Sequence, residues 1–315
     1  MDFQILITNL TNPTLLFFGL GTIAALIKSD LEIPPTSVKF ISLYLLFAIG
    51  FKGGQQIAIS EFSIEIISAL LFGLFLSAII PYYTFFILKQ KLSISDSGAV
   101  AAAYGSVSAV TFVAAVSFLE TINQQYSGHM VAVMAFMEAP AIVVGVSLIN
   151  RYDSDDNGKV SLWQIIKHSL TNGSVVLVLG SLIIGLISDI KQAEGIKPFT
   201  NDIFKGFLAI FLLEMGMVTA RRFGTFKKYG LFATLFAIVI PLFNGIIVSI
   251  ISGLFINSNA DRLIFAILAA SASYIAVPAA MRIAAPKADP GLYIPMALIL
   301  IVSKYKVSVI KNIEL

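Results

Sequence analysis

Ten apolar blocks of membrane-crossing length constrain this chain more than any other feature. They run approximately 13–28, 36–52, 62–88, 97–119, 128–149, 170–190, 201–219, 227–256, 261–284 and 290–310. A helix needs about 17 to 25 apolar residues to cross a hydrocarbon core of about 30 Å. A soluble core has no use for such blocks. The charge content agrees, because only 12% of residues are charged while 57% are hydrophobic, against roughly 25% charged in a soluble domain. The fold class expected is an all-α integral membrane protein of about ten transmembrane helices.

The segment before the first block, residues 1–12, lacks a basic n-region and a small-residue cleavage site, so that block is expected to be retained as a span. The absence of cysteine excludes disulfides and thiolate metal sites. A formal charge of +3 is too small to argue for nucleic acid. The loop charges are more informative. One side collects thirteen lysines and arginines, from Lys28 and Lys39 through Arg151, Lys159 and Lys167 to Arg282 and Lys287. The other has eight, Lys52, Lys191, Lys197, Lys205, Arg262, Lys304, Lys306 and Lys311. The positive-inside rule then places the central hydrophilic loop in the cytoplasm and both termini outside, in a plasma (inner) membrane.

The two halves resemble each other. Gly19 matches Gly180, the stretch from Phe47 to Gly50 matches that from Leu213 to Gly216, Pro81 matches Pro241, and Ser106-Val107-Ser108 matches Ser271-Ala272-Ser273. The offsets lie between 160 and 166 residues. Five spans per half is an odd number, so the second half enters the membrane reversed. The organisation expected is a first five-helix repeat over 1–149, a hydrophilic loop over 150–168 and an inverted repeat over 169–315. Transporters built this way bind substrate near the midplane, where interrupted helices from both halves meet.

Helices 4 and 9 are the ones expected to be interrupted. Each carries two serines near its middle, one pair beside Gly105 and the other followed by Pro278. Glycine and proline make a helix break inexpensive. A break exposes amide N–H groups at a new half-helix N-terminus, where the dipole favours an anion. Two such ends facing each other form a cage for a small oxyanion. The competing reading is that small residues only allow close helix packing.

Intramembrane acids are costly and mark function by default. Glu138 lies about ten residues into the fifth block, beside Ala139-Pro140, and Glu214 lies in the seventh, nearer its cytoplasmic end. Glu138 suits a hard cation such as sodium, or a proton. Importing an anion against an inside-negative potential costs about 2.3 kcal/mol per 100 mV, which a co-transported cation cancels.

Other features carry less. Asp153, Asp155, Asn157 and Gly158 fit positions 1, 3, 5 and 6 of a calcium loop, but position 12 is Gln164 rather than glutamate. His129 and His168 sit at opposite membrane boundaries, too far apart for a shared metal. Trp163 suits an interfacial anchor. No Walker-type loop is present for ATP-driven pumping, and no mid-membrane histidine or lysine activates a serine for hydrolysis. The function expected is transport, not enzymatic catalysis, with no cofactor beyond the coupling ion.

The stretches AAAYGSVSAVTFVAAVSFLE, FMEAPAIVVGV, SLTNGSVVLVLGSLIIGLI and ASASYIAVPAAMRIAAPKADPGLYIPMAL resemble the sodium-dependent bicarbonate transporters of cyanobacteria, the SbtA-type family. The resemblance extends to about Leu298. It implies ten helices in two inverted repeats, a homotrimer, and sodium-coupled bicarbonate symport by alternating access. It maps the bicarbonate site to Gly105, Ser106, Ser108, Ser271, Ala272 and Ser273. The sodium site would use neighbouring positions, with Thr111, Glu138 and Ala270 as candidates. It also implies a PII-like regulatory partner on the cytoplasmic face. The tenth block departs from the family pattern, being short and lysine-bearing after Ile301. Symport of another small anion, proton coupling, a channel, and a transport-inactive receptor are the competing functions.

Overall fold

The computed structural model describes residues 13–59, 63–153, 161–222, 230–274, 276–294 and 296–297. Among them every regular element is helical. The elements are α1 (Pro13–Leu26), α2 (Pro35–Ile59), α3 (Ile64–Leu88), α4 (Ile94–Gly105), α5 (Ala109–Thr121), α6 (His129–Tyr152), α7 (Leu162–Leu170), α8 (Gly173–Ile187) and α9 (Ile190–Glu194). A π-helical turn at Pro198–Asp202 follows, then α10 (Phe204–Arg222), α11 (Gly230–Ser252), α12 (Asn259–Ala269) and α13 (Ala276–Ala284), with a further helical stretch from residue 290. Four of these, α2, α3, α6 and α11, are each long and apolar enough to cross a membrane alone. The outer faces of α3 and α11 expose Leu71, Phe75, Leu235, Val239, Ile246 and Ile250. Contiguous apolar surface of that kind belongs against lipid. The protein is a multi-pass membrane protein.

Two groups of helices pack tightly within themselves. The first is α1, α2, α8 and α10, in which α1 lies along α10 and α2 lies along α8. The second is built from α3, α4 and α6, joined by α5, α11, α12 and α13. The first group depends on missing Cβ atoms. A Cβ on Gly50 would stand 2.6 Å from the Val178 carbonyl oxygen, with the Leu182 nitrogen at 3.4 Å. A Cβ on Gly216 would stand 2.2 Å from the Phe18 carbonyl oxygen, with the Thr22 nitrogen at 2.9 Å. Phe18 to Val178 and Thr22 to Leu182 are each 160 residues apart. Each of the two glycines, matched in sequence, therefore presses on a backbone carbonyl of the helix it faces. Gly19 and Gly180 face open space instead, with nothing within 4 Å of an added Cβ. Their match has no packing reason.

Several boundaries move from the sequence expectation. Helix α2 continues to Ile59, so Lys52 is helical rather than in a loop. Lys52 stays because its ammonium has partners: Glu120 Oε1 at 3.2 Å and the face of the Phe204 ring at 5.3 Å. The central loop is shorter than residues 150–168, since α6 runs to Tyr152 and α7 occupies Leu162–Leu170 with Trp163 exposed. The calcium candidates Asp155 and Asn157 lie outside the described residues, as does the chain beyond residue 297. Asp153 caps the end of α6 and accepts a hydrogen bond from Ser95 Oγ at 3.4 Å.

Candidate functional site

Helices α4 and α5 lie end to end, separated by Ser106, Val107 and Ser108. At about 1.5 Å per residue each is about 18–20 Å long, a little over half a hydrocarbon core. Ser106 leaves α4 in an extended conformation, with φ −81° and ψ 159°. Ser108 starts α5 as its N-cap, accepting the Thr111 N–H on its hydroxyl at 3.2 Å. A serine in this role satisfies one of the free N–H groups of a new helix. The second break lies between α12 and α13 and contains Ser271, Ala272 and Ser273. Pro278 is the third residue of α13. Its missing N–H costs nothing in a first turn, so it sits past the break and opens the second half-helix.

Each interrupted helix begins with the same device. Ser93 caps α4 and accepts the Asp96 N–H at 3.1 Å, and Ser258 caps α12 and accepts the Asp261 N–H at 3.2 Å. Asp96 Oδ1 then accepts the backbone N–H of Asp289, at 2.7 Å. Asp261 Oδ1 accepts the backbone N–H of Ser127 at 2.8 Å, and its other oxygen accepts the Ser127 hydroxyl at 2.6 Å. Each carboxylate thus ties the start of its interrupted helix to the loop that follows the opposite one. Neither aspartate stood out in the sequence, although Ser93-x-x-Asp96 and Ser258-x-x-Asp261 are readable capping signatures.

The two breaks cross in contact. The Ser108 backbone N–H donates to Ser271 Oγ at 3.1 Å, and the Ser273 backbone N–H donates to the Ala103 carbonyl at 2.8 Å. Ser271 Oγ in turn donates to the Leu268 carbonyl at 2.7 Å, and Ser273 Oγ accepts the Val277 N–H at 3.5 Å. Ser106, Ser108, Ser271, Ala272 and Ser273 are all buried. One hydroxyl differs from the rest. Ser106 Oγ is buried without a hydrogen-bond partner among the described residues. Buried hydroxyls are normally satisfied, so an unpartnered one where the two breaks cross is a donor available to a ligand.

The other candidates fall at different distances from the crossing. Thr111 is buried on the first turn of α5, bonded through its backbone to Ser108. Ala270 is the half-buried C-cap of α12. Gly105 ends α4, where a Cβ would meet the Pro81 ring at 2.3 Å and the Ala141 Cβ at 3.1 Å. Its missing side chain is explained by packing. Glu138 lies one turn before Ala141 on α6, half-buried and without a hydrogen bond among the described residues. No group of three metal-ligating His, Cys, Asp or Glu side chains occurs among the described residues.

The family model described as the Na+-dependent bicarbonate transporter superfamily matches residues 13–308. The chain belongs to that superfamily. A search of curated proteins gave no match. The superfamily match runs through both breaks and continues ten residues past Leu298, into the block where the sequence pattern departs. Membership makes sodium-dependent bicarbonate transport the activity class, and a non-enzymatic role follows from it.

Proposed function

We propose that this chain is a sodium-coupled bicarbonate symporter holding its anion where the two helix breaks cross. The observation that carries the reading is Ser106 Oγ, a buried donor without a partner among the described residues, beside the Ser108–Ser271 hydrogen bond. Serine hydroxyls and half-helix N-termini suit a small oxyanion, because they donate hydrogen bonds without a fixed charge. Sodium would bind close by, at Thr111, Ala270 and Glu138, cancelling the anion charge during import.

The frame of this proposal is a pair of inverted repeats over residues 1–149 and 169–315, joined by the 150–168 segment, working by alternating access. The matched glycine contacts and the matched Ser-x-x-Asp caps support it. So does the swap of partners, α1 with α10 and α2 with α8, which an exchange of the two halves reproduces. The proposed orientation keeps the central segment in the cytoplasm and both termini outside. A homotrimer and a PII-like cytoplasmic regulator complete it by family resemblance alone.

The test is uptake of radiolabelled bicarbonate in a host lacking its own system, with sodium or with choline in its place. Sodium-stimulated uptake supports the reading. Correctly inserted protein that gives none, or that moves bicarbonate equally in choline, overturns it.

A further inference from the structure

We infer that Asn244, oriented by Tyr83, is a positioning residue that sets the geometry of the second break. The inference rests on the bicarbonate-site reading above and deepens it.

Asn244 lies on α11, buried, three residues after Pro241. Its Nδ2 donates to the carbonyl of Ala269 at 3.2 Å. Ala269 is the last residue of α12, two residues before Ser271. Carbonyls at a helix C-terminus have no partner within the helix, and a buried one must find a partner elsewhere. Asn244 supplies it. The amide itself is held from the other half of the chain, because the Tyr83 hydroxyl on α3 donates to Asn244 Oδ1. With its oxygen engaged by a donor, the amide can present only its NH₂ group to Ala269. Beside it, a Cβ on Gly245 would stand 3.3 Å from the Ala270 Cβ, so α11 abuts the point where α12 ends.

The first half solves the equivalent place differently. Pro81 and Pro241 are 160 residues apart, and the same offset carries Asn244 onto Thr84. Thr84 turns its hydroxyl back on its own helix, donating to the Ile80 carbonyl at 2.6 Å and the Pro81 carbonyl at 3.3 Å. Among the described residues its hydroxyl makes no hydrogen bond to the first break. The second break is therefore pinned by a side chain from outside, through a series of contacts from Tyr83 to Asn244 to Ala269. From there two residues lead to Ser271, whose hydroxyl receives the Ser108 N–H. At the first break Ser106 Oγ has no hydrogen-bond partner among the described residues. One break is held and the other is left with a spare donor, which is the arrangement expected if a fixed surface receives the anion and the spare donor completes its coordination.

Two substitutions test this. Asn244→Thr copies the solution of the first half, and Tyr83→Phe removes only the hydroxyl that orients the amide. The first readout is bicarbonate uptake normalised to membrane abundance. We expect KM to rise about three- to tenfold in both variants, with normalised maximal rate within about twofold. The second readout does not depend on transport. Because the chain has no cysteine, Ala270→Cys provides a reporter at the end of α12, labelled by a small thiol reagent in purified protein. Ala270 is itself a proposed sodium residue, so this background serves for labelling only and uptake is measured without it. Its labelling rate should change at least about threefold when either substitution is added. An unchanged labelling rate overturns the inference, whatever transport does. A changed rate with normalised KM within about twofold reduces Asn244 to a packing role and also overturns it. A changed rate, where the protein without any substitution takes up no bicarbonate, keeps the positioning role and removes the bicarbonate reading.

Discussion

The backbone N–H of Ser108 donates to the hydroxyl of Ser271 at 3.1 Å, across 163 residues of chain. That bond joins the two interrupted helices at their breaks, and it separates the serines into structural and spare ones. Ser271 holds a bond from each side, so Ser271→Ala should lower stability by about 1–2 kcal/mol, the cost of leaving buried partners unsatisfied. Ser106→Ala removes no hydrogen bond made among the described residues. Its melting midpoint should stay within about 2 °C of the parent, while KM for bicarbonate rises about tenfold, equivalent to about 1.4 kcal/mol. Paired thermal-shift and uptake measurements check the contrast.

The glycines give a second contrast. Gly50→Ala and Gly216→Ala each drive a methyl into a carbonyl oxygen of the facing helix. Overpacking of that kind costs about 1–3 kcal/mol. Both variants should show reduced folded protein by fluorescence-detected size-exclusion chromatography. Gly19→Ala and Gly180→Ala meet open space and should match the parent.

The two first-turn aspartates should differ in weight. Each accepts two bonds, Asp261 both from Ser127 and Asp96 one from the Asp289 backbone and one from the Ser93 hydroxyl. Asp261 is fully buried, however, whereas Asp96 is half-buried and can turn to water for replacements. Hydrogen bonds to charged groups are each worth about 1.5–3 kcal/mol. Asp261→Asn should therefore destabilise the protein more than Asp96→Asn does, by a margin measurable in thermal unfolding in detergent.

Glu120 bridges Lys52 at 3.2 Å and Lys205 at 3.8 Å, joining α5 to the two helices α2 and α10 of the other packing group. These side chains are partly exposed, so the ion pairs contribute little, about 0–1 kcal/mol. Glu120→Gln should shift unfolding only slightly, and the shift should shrink as salt is raised.

Much of the fold was legible because membrane crossing demands long apolar blocks, and those blocks are visible in any reading of the chain. The serine-rich segments were legible for a similar reason, since Gly105 and Pro278 advertise weak helix. Their roles came out differently: Gly105 fits against Pro81, and Pro278 opens α13 after the break. Lys52 looked like a loop residue because a charge seldom continues a span, and only its contacts with Glu120 and the Phe204 ring explain the longer α2. Asn244 was invisible, being one amide in an apolar helix. Its partners, Tyr83 and Ala269, lie 161 and 25 residues away. A side chain whose role depends on such distant partners leaves no local pattern to read.

The most direct measurement is a structure of the protein determined in saturating bicarbonate and sodium. The account predicts planar density where the two breaks cross, within hydrogen-bond distance of Ser106 Oγ and lost in Ser106→Ala. Density for the anion at any other place, with Ser106 Oγ still unpartnered, would contradict it.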